Sequence, residues 1–494
     1  MRTCAWMVLL TATALLGTVG CGSGERGGVT FAPPASEKLG TGRPPSVPVT
    51  VPVSVHPGDD WMRASVPAVT SALYTWSVEP GTSTATLTQG QGTPSIGFSA
   101  GNALGSFQIQ AVVALLGGPL VRGAATVQVQ TGTWVAKAPF QSLPWRYLHT
   151  AIRLKDGTVL VTGGISYNAA GSYLNKTLDT SERYDPLTRL WTPTGNLGTA
   201  RRSHTATVLE DGTVLVAGGY DGSGNPLAST ESYDPGTGVW TPGLSMTIPR
   251  ANFAATSLPG KKVLFTGGHT GLPFDVTNRS EIFNYSSEPK TMTRIADMGA
   301  HRTRHTATAL PDGSVVVVGG NQNLGFIEIF NPSTEQWRPT SAAGPPVLSG
   351  HTATLLGNGK VLVTGGTASF GELTDWAMLF DAATDVLNLT GPLLAKRNLH
   401  TAILLPNGKV LVTDGFTNNS NSPYNPLPIN SSEIYDPVLG TFTPTGALGQ
   451  KRVSFTSTLL EDGTVLAAFG THGYDTDAQP RTEIYLPKRP TDQP

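Results

Sequence analysis

Seven times along the chain, a short alternation of polar and apolar residues passes through a two-residue turn into an unbroken apolar run that ends at glycine. The clearest copy is RRSHTATVLEDGTVLVAGG, Arg201 to Gly219. The others begin at Arg146, Arg250, Arg302, Leu348, Arg397 and Arg452, with start-to-start spacings of 55, 49, 52, 46, 49 and 55 residues. Period-two alternation predicts a half-buried strand, and the apolar run predicts a strand buried on both faces. The turns between them are Asp156-Gly157, Asp211-Gly212, Asp312-Gly313, Asn358-Gly359, Asn407-Gly408 and Asp462-Gly463, with Gly260-Lys261 in the third copy. Such pairs tolerate positive φ, so each block is predicted to be a β-hairpin. Hairpins repeating at this period point to a propeller or a solenoid.

A third strand follows each hairpin after a loop of variable length, with Tyr184, Tyr233, Phe283, Phe330, Phe380, Tyr435 or Tyr485 at its centre. A fourth follows in six of the repeats, carrying Trp191, Trp240, Met292, Trp337, Leu387 or Phe442. Four strands, a glycine pair, then Tyr and Trp resemble the kelch repeat. The DGTVLVTGG form is similar to the galactose-oxidase branch of kelch propellers. The resemblance runs from Thr131 to Pro487 and implies blades that bury their faces only against one another. The seventh repeat lacks a fourth strand, and TGTWVAKAP around Trp134 stands upstream of the first block at the matching distance. The expected fold is therefore all-β: a seven-bladed kelch β-propeller over residues 131–487, closed by the strand around Trp134, with a tail at 488–494.

Residues 47–130 have a different pattern. Val47, Val49, Val51, Val53 and Val55 share one face of a strand, with Pro48 and Pro52 placing it at a sheet edge. ALYTWSV, ATLTQ, SIGFSA, SFQIQAVVAL and ATVQVQ follow as further strands, separated by turns such as Glu79-Pro80-Gly81. Short alternating strands of this kind predict a small β-sandwich. YTWSVEPG, with Trp76 for the core, resembles Ig-like and PKD-like modules, which implies a spacer or adhesive unit.

The N-terminus reads as an address. Arg2, the apolar run Ala5–Gly17 and the small residues before Cys21 describe a signal peptide over residues 1–20, with an apolar core too short to span a membrane comfortably. Val19-Gly20-Cys21 resembles a bacterial lipobox, although Thr18 departs from the usual leucine. The resemblance implies lipidation of Cys21 and a flexible Gly/Pro/Ser tether over residues 21–46. The expected localisation is exported and lipid-anchored at the outer membrane or cell surface; the alternative, an ordinary signal peptide, gives a periplasmic or secreted protein.

Composition narrows the function classes. A net charge of −1 with 14% charged residues offers no polybasic surface, so nucleic acid is not an expected partner. The two cysteines, Cys4 and Cys21, both lie in the N-terminal segment. A copper radical oxidase, which the galactose-oxidase resemblance raises, needs a Tyr–Cys cross-link and a ligand from a C-terminal domain. The chain has no cysteine after Cys21 and runs only seven residues past Pro487, so that activity is expected to be absent. No Walker loop, HExxH, nucleophile elbow or dinucleotide fingerprint is present.

The charges within the block repeat in register. Arginine opens six blocks, and glutamate stands two residues before the third-strand aromatic in six repeats: Glu182, Glu231, Glu281, Glu328, Glu433 and Glu483. The fifth repeat lacks both, with Leu348 and Met378 in their places. Joint loss predicts an ion pair inside each of the other six, because one buried charge without its partner is costly. His149, His204, His305, His351 and His400 share one repeat position, where Phe253 and Phe455 stand in the other two. Phenylalanine in the same slot favours packing and a hydrogen bond to a neighbouring strand over a metal site. No cofactor or metal is expected.

Function is then expected in the second-to-third strand loops, which emerge on one face and measure 17, 11, 12, 7, 11, 17 and 12 residues. In a closed ring the two longest flank the seventh. The candidate ligand-binding residues are Tyr167, Tyr173, Asn175, Asn419, Tyr424, His472, Tyr474 and Asp475, joined by Asn168, Asn418 and Asn425. Tyrosine and asparagine together give rigid aromatic contact and adaptable hydrogen bonds, as in a paratope, and also suit sugar rings. The expected role is non-catalytic recognition of a protein or glycan by a monomer. The alternative is a carbohydrate-active propeller enzyme, a sugar isomerase or hydrolase, with Asp221, Asp275, Arg279, Glu372 and Asp475 as candidate groups.

Overall fold

A computed structural model describes residues 49, 54–55, 62–65, 72–80, 85–89, 95–100, 105–115, 120–129, 133–139, 145–167, 176–271, 275–320, 327–342, 348–368, 371–417, 427–471 and 481–487. Cys21 lies outside them. The chain divides into two compact units, residues 134–485 and residues 1–133 with 486–494. The named elements are all β-strands.

Among the described residues of the larger unit, seven four-stranded antiparallel sheets share one pattern. In the second repeat the strands are Thr205–Val208, Val214–Ala217, Thr230–Asp234 and Val239–Pro242, side by side in chain order. The aromatic of the third strand pairs directly with the bulky residue of the fourth, as Tyr233 does with Trp240. In the last repeat, Thr133–Pro139 takes the fourth position beside Arg481–Leu486, and the Trp134 and Tyr485 rings lie 5.3 Å apart.

The first strands set the cycle. Each touches the first strand of the next repeat, and Thr456–Leu459 of the last touches Thr150–Arg153 of the first. A backbone hydrogen bond repeats at six of the seams: the second glycine of one repeat donates to the carbonyl of the block-opening residue of the next, as Gly219 does to Arg250 at 2.9 Å. Gly470 makes the same bond to Arg146 at 3.0 Å, across the chain's two ends of the ring. The unit is a β-propeller.

Its core lies between sheets. Val214, Val216, Tyr233 and Trp240 of one repeat pack with Leu154 and Leu160 of the preceding one, and comparable clusters fill other seams. The second strands are buried along their whole length, VLVA at Val214–Ala217 for example, which explains their unbroken apolar runs. Burial of each such side chain contributes about 1.5–3 kcal/mol.

The smaller unit holds a four-stranded and a three-stranded sheet. Ser54–Val55 lies at the edge of the first and pairs in parallel with Gln128–Val129. Tyr74, Trp76, Ile109, Ala111 and Val113 are buried. The strand at Ala72–Pro80 runs two residues beyond the expected end at Val78. It is an edge strand, so Pro80 can end it without leaving a ladder bond unmade. The strand Met62–Ser65 was not expected, since the alternation in MRAS lasts only four residues and has just Met62 and Ala64 on its apolar face.

Candidate functional site

Antiparallel order places four features at one end of every sheet: the start of the first strand, the end of the second, the start of the third and the end of the fourth. The variable loops therefore emerge on one face of the ring. The two longest leave on short ladders, Ile165–Tyr167 with Lys176–Thr177 and Phe416–Thr417 with Leu427–Pro428. Tyr167 ends the first of these and pairs through its backbone with Trp145. Tyr173, Asn175, Asn419, Tyr424, His472, Tyr474 and Asp475 lie outside the described residues, as do Asn168, Asn418 and Asn425.

The repeated charges beneath this face are spent internally. Six buried pairs form: Arg146–Glu182, Arg201–Glu231, Arg250–Glu281, Arg302–Glu328, Arg397–Glu433 and Arg452–Glu483. Arg201 donates to Glu231 at 2.6 Å and to the Gly218 and Ser229 carbonyls at 2.8 and 3.1 Å. Glu231 also accepts the backbone N–H groups of Gly198 and Thr199, at 2.6 and 3.1 Å. Each pair thus ties the incoming loop of a repeat to its second and third strands. Burial pulls the Arg146 guanidinium down and pushes the Glu182 carboxyl up, while each charge counters the loss for its partner.

The histidines bridge seams. Nε2 of His149, His204, His351 and His400 each lies 3.0 or 3.1 Å from a first-strand threonine of the preceding repeat: Thr456, Thr150, Thr306 and Thr352. His305 instead meets Thr266, at the end of the second strand there, at 2.8 Å. Burial holds His204 and His305 down at about 3 and His351 at about 4, so these rings are neutral near pH 7. The ring positions answer the glycine pair. A Cβ on Gly267 would lie 2.8 Å from His305 Cε1, and one on Gly164 would lie 2.9 Å from His149 Cβ. Among the described residues no group of three or more His, Cys, Asp or Glu side chains is gathered as metal ligands would be.

The residue before each His or Phe slot forms the rim of the loop face. Leu148, Ser203, Asn252, Arg304, Gly350, Leu399 and Ser454 all have φ between 50° and 66°. Side chains seldom adopt this left-handed conformation, and clusters of it occur at functional sites. The reason is a belt of backbone bonds from repeat to repeat: Ser203 donates to Leu148, Asn252 to Ser203, Arg304 to Asn252 and Leu399 to Gly350.

Unlike residues meet on this rim over the early repeats. The Arg202 guanidinium lies 5.5 Å from the centre of the Tyr220 ring, and His269 lies 5.9 Å from it on the next repeat. Burial raises the Tyr220 hydroxyl pKa, and the Asn252 side chain and the Arg304 and Arg202 charges oppose that rise. Arg202 acts on Tyr147 as well, again against burial. Of the acids considered for catalysis, Asp221 accepts the N–H groups of Ser223 and Asn225 within its own turn, and Asp275 accepts the Thr270 hydroxyl. Glu372 is exposed, and Arg279 offers its carbonyl to Arg250. These groups are not brought together as an acid–base pair. The rim cluster was missed in sequence because its members stand one or two residues from invariant-looking block positions. Their signal is difference between repeats, which is weaker than loop length.

Such a surface can bind through cations, aromatic faces and amide groups. The Kelch motif family matches residues 201–247, the second repeat from its block arginine to its fourth strand and just beyond. No curated protein matches. Among solved structures, the chain is similar to a novel fungal alcohol oxidase with catalytic diversity among the AA5 family, in complex with copper. That likeness has a TM-score of 0.56 at 19% identity and covers 72% of this chain and 77% of the other, which bears on fold alone. Motif, sheet order and fold agree that the chain is of the kelch β-propeller kind.

Proposed function

We propose that the protein is a non-catalytic recognition module: a seven-bladed kelch propeller, carried on an Ig-like spacer and held at the cell envelope by a lipid on Cys21. The observation that carries this reading is where the polar side chains go. Repeated Arg, Glu and His are consumed inside the ring, as in Arg201–Glu231 and His204–Thr150, whereas the residues that differ between repeats stand on the loop face. A rigid ring presenting variable loops is the arrangement of a binding protein. The seven like sheets and their cyclic contacts support the blade count. The two-sheet unit with buried Trp76 supports the spacer. Ligand contact is assigned to the loops of the sixth, seventh and first repeats, through Tyr424, Tyr474 and their neighbours.

A glycan array and capture from envelope extracts, both with the full chain, test this. Binding that is lost in Tyr424→Ala and Tyr474→Ala supports recognition through those loops. Turnover of an oligosaccharide that Asp475→Asn abolishes makes the protein a carbohydrate-active enzyme instead. Neither binding nor turnover leaves a scaffold without a ligand of its own.

A further inference from the structure

Resting on the loop face as a recognition surface, we propose a second, separate subsite: the rim over the first to fourth repeats binds the carboxylate of an acidic sugar. Its residues are Tyr147, Arg202, Tyr220, Asn252, His269 and Arg304. The Arg202 guanidinium lies 5.5 Å from the centre of the Tyr220 ring, and the exposed Arg304 adds a second positive charge that acts on the same tyrosine.

Their charge is not cancelled locally. Arg202 is held by neutral acceptors, the Thr177 hydroxyl at 2.7 Å and the Asp221 carbonyl at 3.1 Å. The Asp221 and Asp275 carboxylates accept bonds within their own loops. Arg304 is exposed, and among the described residues neither arginine forms an ion pair. The whole chain carries a net charge of −1, so the cationic rim is a local feature. Arg304 is also presented from a left-handed backbone, φ 54°, by the belt bond to Asn252. His269 adds an enclosed Nδ1 with no hydrogen-bond partner.

The other half of the rim argues for a sugar rather than an acidic peptide. Ser349, Thr367, Asn398, Ser454 and Thr471 are neutral and polar, set among the apolar Leu399, Phe416 and Val453, and Asn398 donates to Thr367 at 2.8 Å while its buried Oδ1 has no partner. A uronate-bearing glycan offers one carboxylate among many hydroxyls, which matches one cationic half and one neutral polar half. A run of acidic side chains would leave its later carboxylates unpaired.

Calorimetric titration of the full chain with a galacturonate trisaccharide, the matching neutral galactose trisaccharide and an oligoglutamate peptide decides this. The galacturonate probe is expected to bind at least about tenfold more tightly than the other two, and less tightly as salt rises. Arg304→Gln is expected to weaken it roughly ten- to a hundredfold with an unchanged melting temperature, and Arg304→Lys to restore part of the loss. Equal affinity for the neutral probe, or an Arg304→Gln variant that binds galacturonate as tightly as the parent, overturns the subsite. Tighter binding of oligoglutamate overturns the sugar assignment. If galacturonate fails but ligands dependent on Tyr424 and Tyr474 still bind, the subsite falls and the recognition reading stands. If nothing binds, both fall.

Discussion

Leu348 and Met378 lie in one apolar cluster, 0% and 4% exposed, at the two positions that hold a buried arginine and its glutamate in the other six repeats. The chain thus contains its own control for a buried ion pair. Desolvation opposes both charges, so a well-packed apolar pair in the same space is often as stable, whereas one charge alone is strongly unfavourable.

A double-mutant cycle at Arg302 and Glu328 follows from that comparison. Each single change, Arg302→Met or Glu328→Met, is expected to cost about 3–5 kcal/mol, because it leaves a buried charge or carboxyl and the Gly299 N–H in altered company. The double variant is expected to be more stable than either single one. Urea unfolding of all four proteins gives the coupling; additive losses would refute a mutually dependent pair.

The histidine ring sets an acid limit. His204 and His305 are held at about 3 and His351 at about 4, whereas an unfolded histidine titrates near about 6.5. Between those values the unfolded chain takes up protons that the folded chain does not. Their contribution is therefore complete above the unfolded value and is lost as pH falls below it, by up to about 1.4 kcal/mol per pH unit for each histidine. His305→Phe, which places the residue found in the third and seventh repeats, is expected to make the slope of unfolding free energy between pH 7 and 5 shallower. Parallel curves for variant and parent would count against the assignment.

Two glycines with similar backbone angles should respond differently. Gly267 has φ 61°, and a Cβ there would lie 2.5 Å from the Arg302 carbonyl and 2.8 Å from His305 Cε1. Gly359, at φ 81° in a hairpin turn, has nothing within 4 Å. Gly359→Ala is expected to cost about 1–2 kcal/mol from the backbone alone, and Gly267→Ala about 3 kcal/mol or more because the seam must also shift. Thermal unfolding of both variants measures the gap; equal losses would mean the seam yields freely.

How much of this could be read from the chain follows the strength of local chemistry. Asp211-Gly212 and its counterparts mark hairpins because the turn demands positive φ, and the joint absence of Arg and Glu at Leu348 and Met378 marks a pair that forms elsewhere. The rim was not legible. A leucine at φ 55°, as at Leu148, is imposed by backbone bonds between repeats and has no residue preference to betray it. The grouping of Arg202 and Tyr220 with Arg304 likewise depends on the second and fourth repeats coming together on the ring, and each residue by itself reads as an ordinary surface position.

Asp414 is the position where the repeat departs from glycine at a cost. It stands where five repeats have the first glycine, at φ 59°, fully buried, with neither carboxyl oxygen hydrogen-bonded. Burial pushes its pKa well above the ordinary value; Arg452 and Arg397 counter this, and Glu483 adds to it. Over the range between about 3.9, where an unfolded aspartate titrates, and the folded value, unfolding releases a proton. Stability therefore falls as pH rises through that range, opposite in sign to the histidine effect. Asp414→Gly is expected to stabilise the protein by about 1–3 kcal/mol at neutral pH, by removing an unpartnered buried group from a left-handed backbone position. Its advantage over the parent should shrink as pH drops towards 4. Asp414→Asn, which keeps the shape and cannot titrate, should show the same loss of pH dependence without the full gain. Unfolding free energies that run parallel for Asp414→Gly and the parent across pH 4 to 7 would show that the carboxyl is already ionised in the folded ring.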